Sequence, residues 1–457
     1  MTAYELIVVG GGAAGMAAAR AGARRGARTL LVQEGEIGGD CTFTGCVPSK
    51  TMIEAAADAV PFDQAMRRVR ETVAAVAATE DTSVLRAEGI EVLHGTARFR
   101  SAAELDVDGR RLRAERIVIA TGAGPVVPPI PGLDSVSFLT NETAFDLTTL
   151  PRSIAVLGGG SIGCELAQAF SRYGSSVTII EAGPRLLPKE EPDASDVVTE
   201  VLRREGVDVR LGSTVVAVDA GTPDREVSLR LDDETSVTTN VVLVAVGRTP
   251  DTDRLGLEAG GVEVDEHGFV RTDDHLATTA DGVYAVGDVT GRLPFTHAAD
   301  AMGRLAAANA LSRNRWRRFR PEAIPWVTFT APEVARVGMT EAQAVEYGGQ
   351  VAQLPMSAVD RAVTAARTDG FVKLIAGPRR ITRGLGGGRI LGATIVAARA
   401  GEMIHEPALA MHTHMFTGRL VEAVHAYPTW SSAVQQAAAQ FFVEIGGRRA
   451  RPARDVG

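Results

Sequence analysis

Short apolar runs followed by glycine-rich turns recur along the chain. Residues 6–9 form the first run, which leads into Gly10 to Gly15 and an alanine-rich stretch with helical spacing, and a second apolar run covers residues 29–32. Continuous apolar runs of this length are typical of buried parallel strands. The order of strand, glycine turn, helix and strand therefore predicts a βαβ unit.

The same pattern returns after a proline-rich crossing at residues 125–131. Residues 154–157 lead into a second glycine turn and a helical stretch, and a further apolar run ends at Glu181. The first glycines of the two turns, Gly10 and Gly158, are 148 positions apart. The sequence therefore predicts two copies of one unit.

Other stretches predict the elements around these units. Residues 51–86 have a mostly helical pattern, and residues 92–99 and 105–112 predict strands of a small sheet. Apolar strands also lead to Gly122, to Gly247 and to Asp288, and strands alternate with amphipathic helices from residue 325 onward. The Arg-rich residues 448–457 predict a disordered tail.

Each predicted unit has the features of a dinucleotide site. The glycines permit a tight turn and close approach of a pyrophosphate, the helix N-terminus favours its charge, and an acid at the next strand end suits a ribose hydroxyl. The residues concerned are Gly10, Gly12, Gly15 and Glu34, and then Gly158, Gly160, Gly163 and Glu181. Two such sites predict electron or hydride transfer between two cofactors. The alternative is one site and one decayed copy.

A cysteine pair lies just after the first unit. Cys41 and Cys46 have four residues between them, and Lys50 follows four residues after Cys46. If a helix begins near Cys46, its first-turn amides and the Lys50 ammonium both favour a thiolate. The spacing alone leaves four alternatives open: a redox-active dithiol, a structural disulfide, half of a zinc site, or two inert core cysteines.

Composition limits the class of protein. The 457 residues predict about three domains, and a net charge of −8 gives no basic surface for nucleic acid. Lysine is rare among the 48 basic residues, which makes a lysine beside the cysteine pair notable. With neither an export signal nor an apolar run long enough to span a membrane, we expect a cytoplasmic protein that binds no membrane.

Further motifs give the chain a family resemblance. They are Ala120-Thr121-Gly122, Val246-Gly247-Arg248-Thr249-Pro250, Tyr284-Ala285-Val286-Gly287-Asp288 and Phe329-Thr330-Ala331-Pro332-Glu333. Together with the glycine turns and the cysteine pair, they make the chain, apart from its tail, resemble the flavin-dependent pyridine-nucleotide disulfide oxidoreductases. That family includes dihydrolipoamide dehydrogenases, glutathione reductases and mercuric reductases.

The resemblance implies an α/β fold with two Rossmann-like dinucleotide-binding domains, for FAD and NAD(P), and a C-terminal α+β dimerisation domain. It would place the FAD-binding domain at residues 1–149 and 262–322, the NAD(P)-binding domain at 150–261 and the dimerisation domain at 323–447. It also implies a homodimer in which each active site receives its acid–base segment from the other subunit.

The resemblance further assigns roles to single residues. Cys46 would be the sulfur against the flavin and Cys41 the exposed interchange thiol, while Lys50 and Glu165 would form an ion pair beside the flavin. The other implied cofactor contacts are Glu34 at the FAD ribose, Asp288 at the ribityl-phosphate region, Ala97, Gly122 and Thr296 near the flavin, and Gly247.

One segment departs from the family pattern. Disulfide reductases of this family have a His-x-His-Pro-Thr segment, whose second histidine is the acid–base group, with a glutamate five residues later. Here Tyr427 stands at the histidine position and Ser432 at the glutamate position. Both members of that pair are missing, unless His425 has taken the role.

The tyrosine, like the stretch from Gly163 to Ala167, resembles mercuric reductases. Those enzymes carry a vicinal cysteine pair on the C-terminal tail, whereas this tail has no cysteine. Cys164 is most simply interpreted as a small core residue.

These features predict an NADH-dependent FAD flavoprotein, with NADPH as an alternative because Arg185 lies close to Glu181. Electrons would pass through FAD to the Cys41–Cys46 pair and on to a small-molecule acceptor other than a plain disulfide, such as a metal ion, a quinone or a reactive oxidant. The alternatives are a disulfide reductase for an unusual thiol, a mercuric reductase-like enzyme, and a flavin-binding redox sensor without turnover. No resident metal is expected.

Overall fold

The computed structural model describes residues 3–220, 226–314, 317–378 and 384–455. The chain divides into two compact units. The first comprises Met1–Pro128, Leu139–Leu150 and Val246–Pro321, and the second comprises Pro129–Phe138, Pro151–Ala245 and Glu322–Gly457. The predicted domain boundaries remain predictions.

The first unit is built on a seven-stranded sheet. Its parallel part runs in the order Glu91–His94, Thr29–Gln33, Ala3–Val9, Arg110–Ile119 and Val283–Ala285. Glu104–Val107 extends it by antiparallel pairing with the first half of Arg110–Ile119, and Ala97–Ser101 in turn pairs antiparallel with Glu104–Val107. The apolar runs form the centre of this sheet because both of its faces are covered, and Leu6, Ile7 and Val8 are fully buried.

The helices of the first unit are Ala13–Ala23, Gly39–Phe43, Cys46–Ala57, Phe62–Ala77, Thr82–Ala87 and Thr296–Ala310. A two-stranded pair, Ala123–Pro125 with Arg248–Pro250, completes the unit together with short 3-10 turns at Ala144–Asp146, Asp253–Leu255, Leu257–Gly260 and Gly287–Thr290. The predicted helix beginning at Cys46 is confirmed.

The second unit contains the repeated βαβ unit. Its parallel strands run in the order Asp208–Leu211, Ser176–Glu181, Ser153–Leu157 and Val241–Val244. The helices Ser161–Tyr173 and Pro192–Arg204 connect them, and Val215–Ala220, Val227–Leu231 and Ser236–Thr239 form an antiparallel sheet. The predicted duplication is therefore present in the backbone.

The C-terminal part of the second unit is a six-stranded antiparallel sheet. Its order is Trp326–Thr328, Glu333–Gly338, Arg389–Ala397, Phe371–Gly377, Gln350–Pro355 and Arg451–Pro452. The accompanying helices are Glu341–Ala344, Asp360–Thr364, Ala400–Met403, His405–His412, Thr417–Glu422 and Ser432–Ala439. The mixed α/β architecture confirms the predicted fold class.

Three predicted elements differ in the structure. Residues 92–99 contribute to two strands, Glu91–His94 and Ala97–Ser101, at opposite ends of the seven-stranded sheet, because Gly95 between them has φ +154°. Residues 105–112 form a hairpin turn rather than one strand, because Asp108 and Gly109 adopt positive φ angles of 49° and 85°. The predicted disordered tail is wrong at Arg451–Pro452, which adds an edge strand to the sheet, while residues 456–457 lie outside the described part of the chain. Arg451 also binds the buried Glu341 through its guanidinium, which anchors the strand.

In the four described ranges, no helix has the length and apolar character that a membrane crossing requires.

Candidate functional site

The first glycine turn is shaped by close backbone contacts. Gly10 has φ +107°, and a Cβ there would lie 2.2 Å from the Ala120 carbonyl oxygen. A Cβ on Gly15 would lie 1.8 Å from the carbonyl oxygen of Gly10. Gly12 precedes the helix Ala13–Ala23 without a side-chain cap, and such a helix N-terminus favours an anion.

The second turn repeats this geometry. Gly158 has φ +104°, and a Cβ on Gly163 would lie 2.0 Å from the Gly158 carbonyl oxygen. Gly160 precedes the helix Ser161–Tyr173, again without a side-chain cap, and a Cβ there would meet nothing within 4 Å. Both turns thus leave room for a pyrophosphate against a helix N-terminus, which fits the two cofactors that the sequence predicts.

The strand-end residues of the two copies differ. Glu181 accepts hydrogen bonds from the Gly159 amide at 2.6 Å and from the Gly183 amide at 2.7 Å. In the first copy the corresponding acceptor is Gln33, whose Oε1 takes the Gly11 amide at 2.6 Å. Its Nε2 donates to the Glu36 carbonyl at 3.1 Å.

Glu34 therefore does not occupy the position predicted for it. Successive strand side chains point to opposite sides, so the residue after Gln33 turns away from the glycine loop. Glu34 instead pairs with Arg254 at 2.7 Å, and hydrogen bonding to that guanidinium lowers the pKa of Glu34. The 148-residue offset between the two copies makes Gln33 the equivalent of Glu181. This equivalence could have identified Gln33 from the sequence.

The cysteine pair spans two short helical elements. Cys41 lies in Gly39–Phe43, and Cys46 is the first residue of Cys46–Ala57. Within this chain Cys41 is half-buried and Cys46 is exposed. The roles that the resemblance implied for the two sulfurs remain predictions. The hydrogen bond to Cys46, together with burial, raises the pKa of the Cys41 thiol.

Thr296 joins this group from the N-terminus of the helix Thr296–Ala310. Its Oγ1 lies 3.4 Å from the Cys46 sulfur, and its hydroxyl also hydrogen-bonds to Cys41, which partly opposes the rise in the pKa of that thiol. The first unit thus brings the predicted residues Cys41, Cys46 and Thr296 together.

Asp288 is linked to the same region by a residue that the sequence did not single out. The carboxylate of Asp288 lies 3.5 Å from Nε of Arg248, and Arg248 also pairs with Asp40 at 2.8 Å. Burial raises the pKa of Asp288, and the Arg248 charge opposes that shift. Arg248 directly follows Gly247 and so could have been noticed in that motif.

The other predicted cofactor residues have simple placements. Gly122 and Gly247 adopt φ angles of +79° and +151°, so both turns require glycine. The Ala97 side chain lies in the apolar core, which leaves only its backbone for a cofactor contact.

The two residues of the predicted flavin ion pair lie on different helices. Lys50 lies on the helix Cys46–Ala57, one turn after Cys46. Glu165 is buried in the helix Ser161–Tyr173, where its Oε1 accepts the Phe329 amide at 2.7 Å. Their pairing remains a prediction.

Tyr427 and His425 both interact with carboxylates of the second unit. The exposed Tyr427 hydroxyl donates to Asp360 Oδ2 at 2.7 Å, and this hydrogen bond raises the pKa of Tyr427. His425 contacts Glu406 through Nε2 at 3.0 Å and the Ala423 carbonyl through Nδ1 at 2.9 Å. Burial disfavours its charged form, but these hydrogen bonds raise its pKa overall. Both imidazole nitrogens are therefore engaged.

Comparison with known proteins agrees with this geometry. Residues 4–303 match the family described as pyridine nucleotide-disulphide oxidoreductase, and residues 324–438 match the dimerisation domain of that family. A mercuric reductase from Bacillus cereus is 32% identical over 97% of this chain and 72% of its own length. A dihydrolipoyl dehydrogenase from Thermus scotoductus is 33% identical over 96% of this chain and 97% of its own.

A solved structure is also similar. The Cu(II) complex of RclA from Escherichia coli, an HOCl-induced flavoprotein disulfide reductase, superposes with a TM-score of 0.88 at 32% identity. The match covers 96% of this chain and 99% of that one.

Proposed function

Because this chain belongs to the pyridine nucleotide-disulphide oxidoreductase family, we propose an enzyme that passes electrons from NADH through FAD and the Cys41–Cys46 pair to an acceptor other than a plain disulfide. FAD, when bound, supplies the two-electron relay between the nicotinamide and the thiols. The two glycine turns and the Asp288–Arg248 pair are the residues that would hold the cofactors.

The observation that carries the acceptor proposal is the engagement of Tyr427 with Asp360. Reduction of a disulfide requires a proton for the departing thiolate, which is work for a group that titrates near neutrality. Tyrosine has an ordinary pKa near 10, and the Asp360 carboxylate raises that of Tyr427 further. Losing a positioned acid–base group typically costs about 10² to 10⁴ in rate.

His425 is a poor substitute for the missing group. Its two nitrogens contact Glu406 and the Ala423 carbonyl, so its proton is committed within its own subunit. Some acceptors need no such proton transfer, so their reduction is not slowed by the missing acid–base group. They are a soft metal ion, a quinone or a small reactive oxidant. The existence of a Cu(II) complex of RclA supports including copper among the candidates.

An acceptor panel tests this proposal. We expect wild type to reduce copper(II), mercury(II) or a quinone with a higher kcat/KM than lipoamide or glutathione disulfide. Tyr427→His should raise disulfide reduction by about tenfold or more by returning an acid–base group, whereas His425→Asn should leave the order of acceptors unchanged. Wild type that prefers a plain disulfide would refute the proposal.

Cys41→Ser separates the thiol route from direct flavin chemistry. We expect this variant to lose activity with the best acceptor while its flavin is still reduced by NADH. Full activity in the variant would exclude the dithiol from the path and would favour electron transfer from the flavin itself.

We also propose that NADH is the preferred nicotinamide. The Glu181 carboxylate is fixed by two backbone amides at the strand end, where it would accept a ribose hydroxyl and repel a 2′-phosphate. We expect NADH to have the higher kcat/KM. A preference of about tenfold for NADPH, equal to about 1.4 kcal/mol, would contradict this assignment.

A further inference from the structure

Asp40 lies directly before Cys41, and three side chains hold its carboxylate. Oδ1 accepts hydrogen bonds from the Thr44 hydroxyl and from Nδ2 of Asn141, the latter at 3.2 Å. Oδ2 pairs with Arg248 at 2.8 Å. Asn141 also donates to the Thr44 carbonyl at 3.4 Å, so these contacts fix the carboxylate within the segment that carries the cysteines.

Arg248 does not cancel the acidic charge of this region. It is shared by Asp40 and Asp288, with its Nε 3.5 Å from Asp288 Oδ2. Two carboxylates thus face one guanidinium, and the three side chains carry one net negative charge when both acids are ionised. Coulombic interaction with Asp40 is also among the causes that raise the pKa of Asp288, after burial.

The charged groups near the two cysteine sulfurs differ in sign. Cys46 lies at the positive end of the helix Cys46–Ala57, which also carries Lys50. Cys41 lies beside Asp40. The hydrogen bond to Cys46 and burial raise the pKa of Cys41, and the charge of Asp40 raises it further, while the Thr296 hydroxyl opposes this rise. The side of the pair that carries Cys41 is therefore the acidic side.

We propose that Asp40 is a specificity-determining residue, which makes the thiol pair favour cationic acceptors over anionic ones. The inference rests on the proposed function, in which Cys41 is the thiol that meets the acceptor. A fixed carboxylate one residue from that thiol attracts a metal cation and repels a substrate such as glutathione disulfide, which carries net negative charge. A neutral quinone should not respond to the charge.

Two substitutions of Asp40 separate its charge from its structural contacts. Asp40→Asn removes the charge and keeps the shape, and Asp40→Glu keeps the charge. Asp63→Asn is the matched control, because Asp63 also pairs with an arginine, Arg67, but on the exposed face of the helix Phe62–Ala77. The kcat/KM is measured with copper(II), a neutral quinone and glutathione disulfide.

We expect Asp40→Asn to lower the copper-to-quinone ratio of kcat/KM by about three- to tenfold and to raise the rate with glutathione disulfide. Alkylation of reduced Cys41 by the neutral reagent iodoacetamide should begin at lower pH in this variant. Asp40→Glu and Asp63→Asn should resemble wild type in both measurements.

Equal changes with all three acceptors, or an Asp40→Glu variant that behaves like Asp40→Asn, would overturn the inference. If Asp40→Asn does not fold, the salt dependence of the wild-type enzyme is measured in its place. The kcat/KM for copper(II) must then fall with added salt while that for the quinone does not, and equal responses overturn the inference.

A wild type that prefers plain disulfides refutes the proposed function instead. In that case a faster glutathione disulfide reaction in Asp40→Asn still supports the role of Asp40, and an unchanged rate overturns it.

Discussion

At the scale of single residues, the two dinucleotide turns are alike in backbone and different in charge. Glu181 and Gln33 both accept an amide of the adjacent glycine turn at 2.6 Å, but one is an acid and the other a neutral amide. Glu34, the nearest acid in sequence, pairs with Arg254. The first turn is therefore expected to bind its ribose through Gln33.

The strength of FAD binding tests whether Gln33 or Glu34 contacts the ribose. Gln33→Ala removes an acceptor beside the glycine turn, and we expect about fivefold weaker FAD binding, because one hydrogen bond contributes about 1 kcal/mol. Glu34→Ala should change FAD binding by less than about twofold, since an exposed ion pair contributes little. The measurement is the FAD dissociation constant of reconstituted protein by flavin fluorescence. A larger loss in Glu34→Ala would contradict the assignment.

Sequence spacing predicted the residues whose roles are local. The glycines of both turns and the helix beginning at Cys46 follow from patterns only a few residues long, and the structure confirms that geometry. The pairing of Arg248 with Asp40 and that of Tyr427 with Asp360 could not be identified in the same way, because each joins residues far apart along the chain. Such pairings depend on how the chain folds, and they do not follow from the spacing of residues along the sequence.

At the scale of elements, a buried ion network joins four segments of the second unit. Lys373 is only 2% exposed, and its Nζ lies 3.3 Å from Glu191, 2.9 Å from Asp193 and 3.3 Å from Glu341. Arg451 binds Glu341 from the C-terminal edge strand. This network explains why part of the tail that composition predicted to be disordered is a strand. Arg451 in that strand forms an ion pair with Glu341, which is buried.

Removing the central lysine should destabilise this unit strongly. Lys373→Met leaves three carboxylates without their shared cation, and breaking a buried ion pair typically costs about 3–5 kcal/mol. Lys189→Met is the matched control: Lys189 is exposed, and its loss should cost less than about 0.5 kcal/mol. Denaturant unfolding of both variants gives the comparison. Equal stabilities would show that the network contributes nothing.

At the scale of the whole molecule, the dimerisation domain matched at residues 324–438 supports a homodimer. We further predict that Tyr427 of one subunit lies near Cys41 of the other. The chain mass of 48.0 kDa gives a dimer of twice that value, 96 kDa.

A disulfide trap tests both features together. In a Tyr427→Cys, Cys46→Ser double variant, mild oxidation should join the new thiol to Cys41 of the other subunit and yield a covalent dimer on a non-reducing gel. Adding Cys41→Ser should abolish this product. A cross-link found only within single chains would contradict the shared active site.

The central claim is that electrons leave through the Cys41–Cys46 dithiol to an acceptor other than a plain disulfide. The most direct measurement mixes anaerobic enzyme, reduced to the dithiol, with copper(II), a quinone or glutathione disulfide, and follows the loss of both thiols by quenched alkylation and mass spectrometry. Two copper(II) ions or one quinone take the two electrons of each dithiol, forming the disulfide and releasing two protons to the quinone or to water. We predict that copper(II) or the quinone oxidises both thiols at least about tenfold faster than glutathione disulfide does. Equal or faster oxidation by glutathione disulfide, or flavin reoxidation while both thiols stay reduced, would contradict the claim.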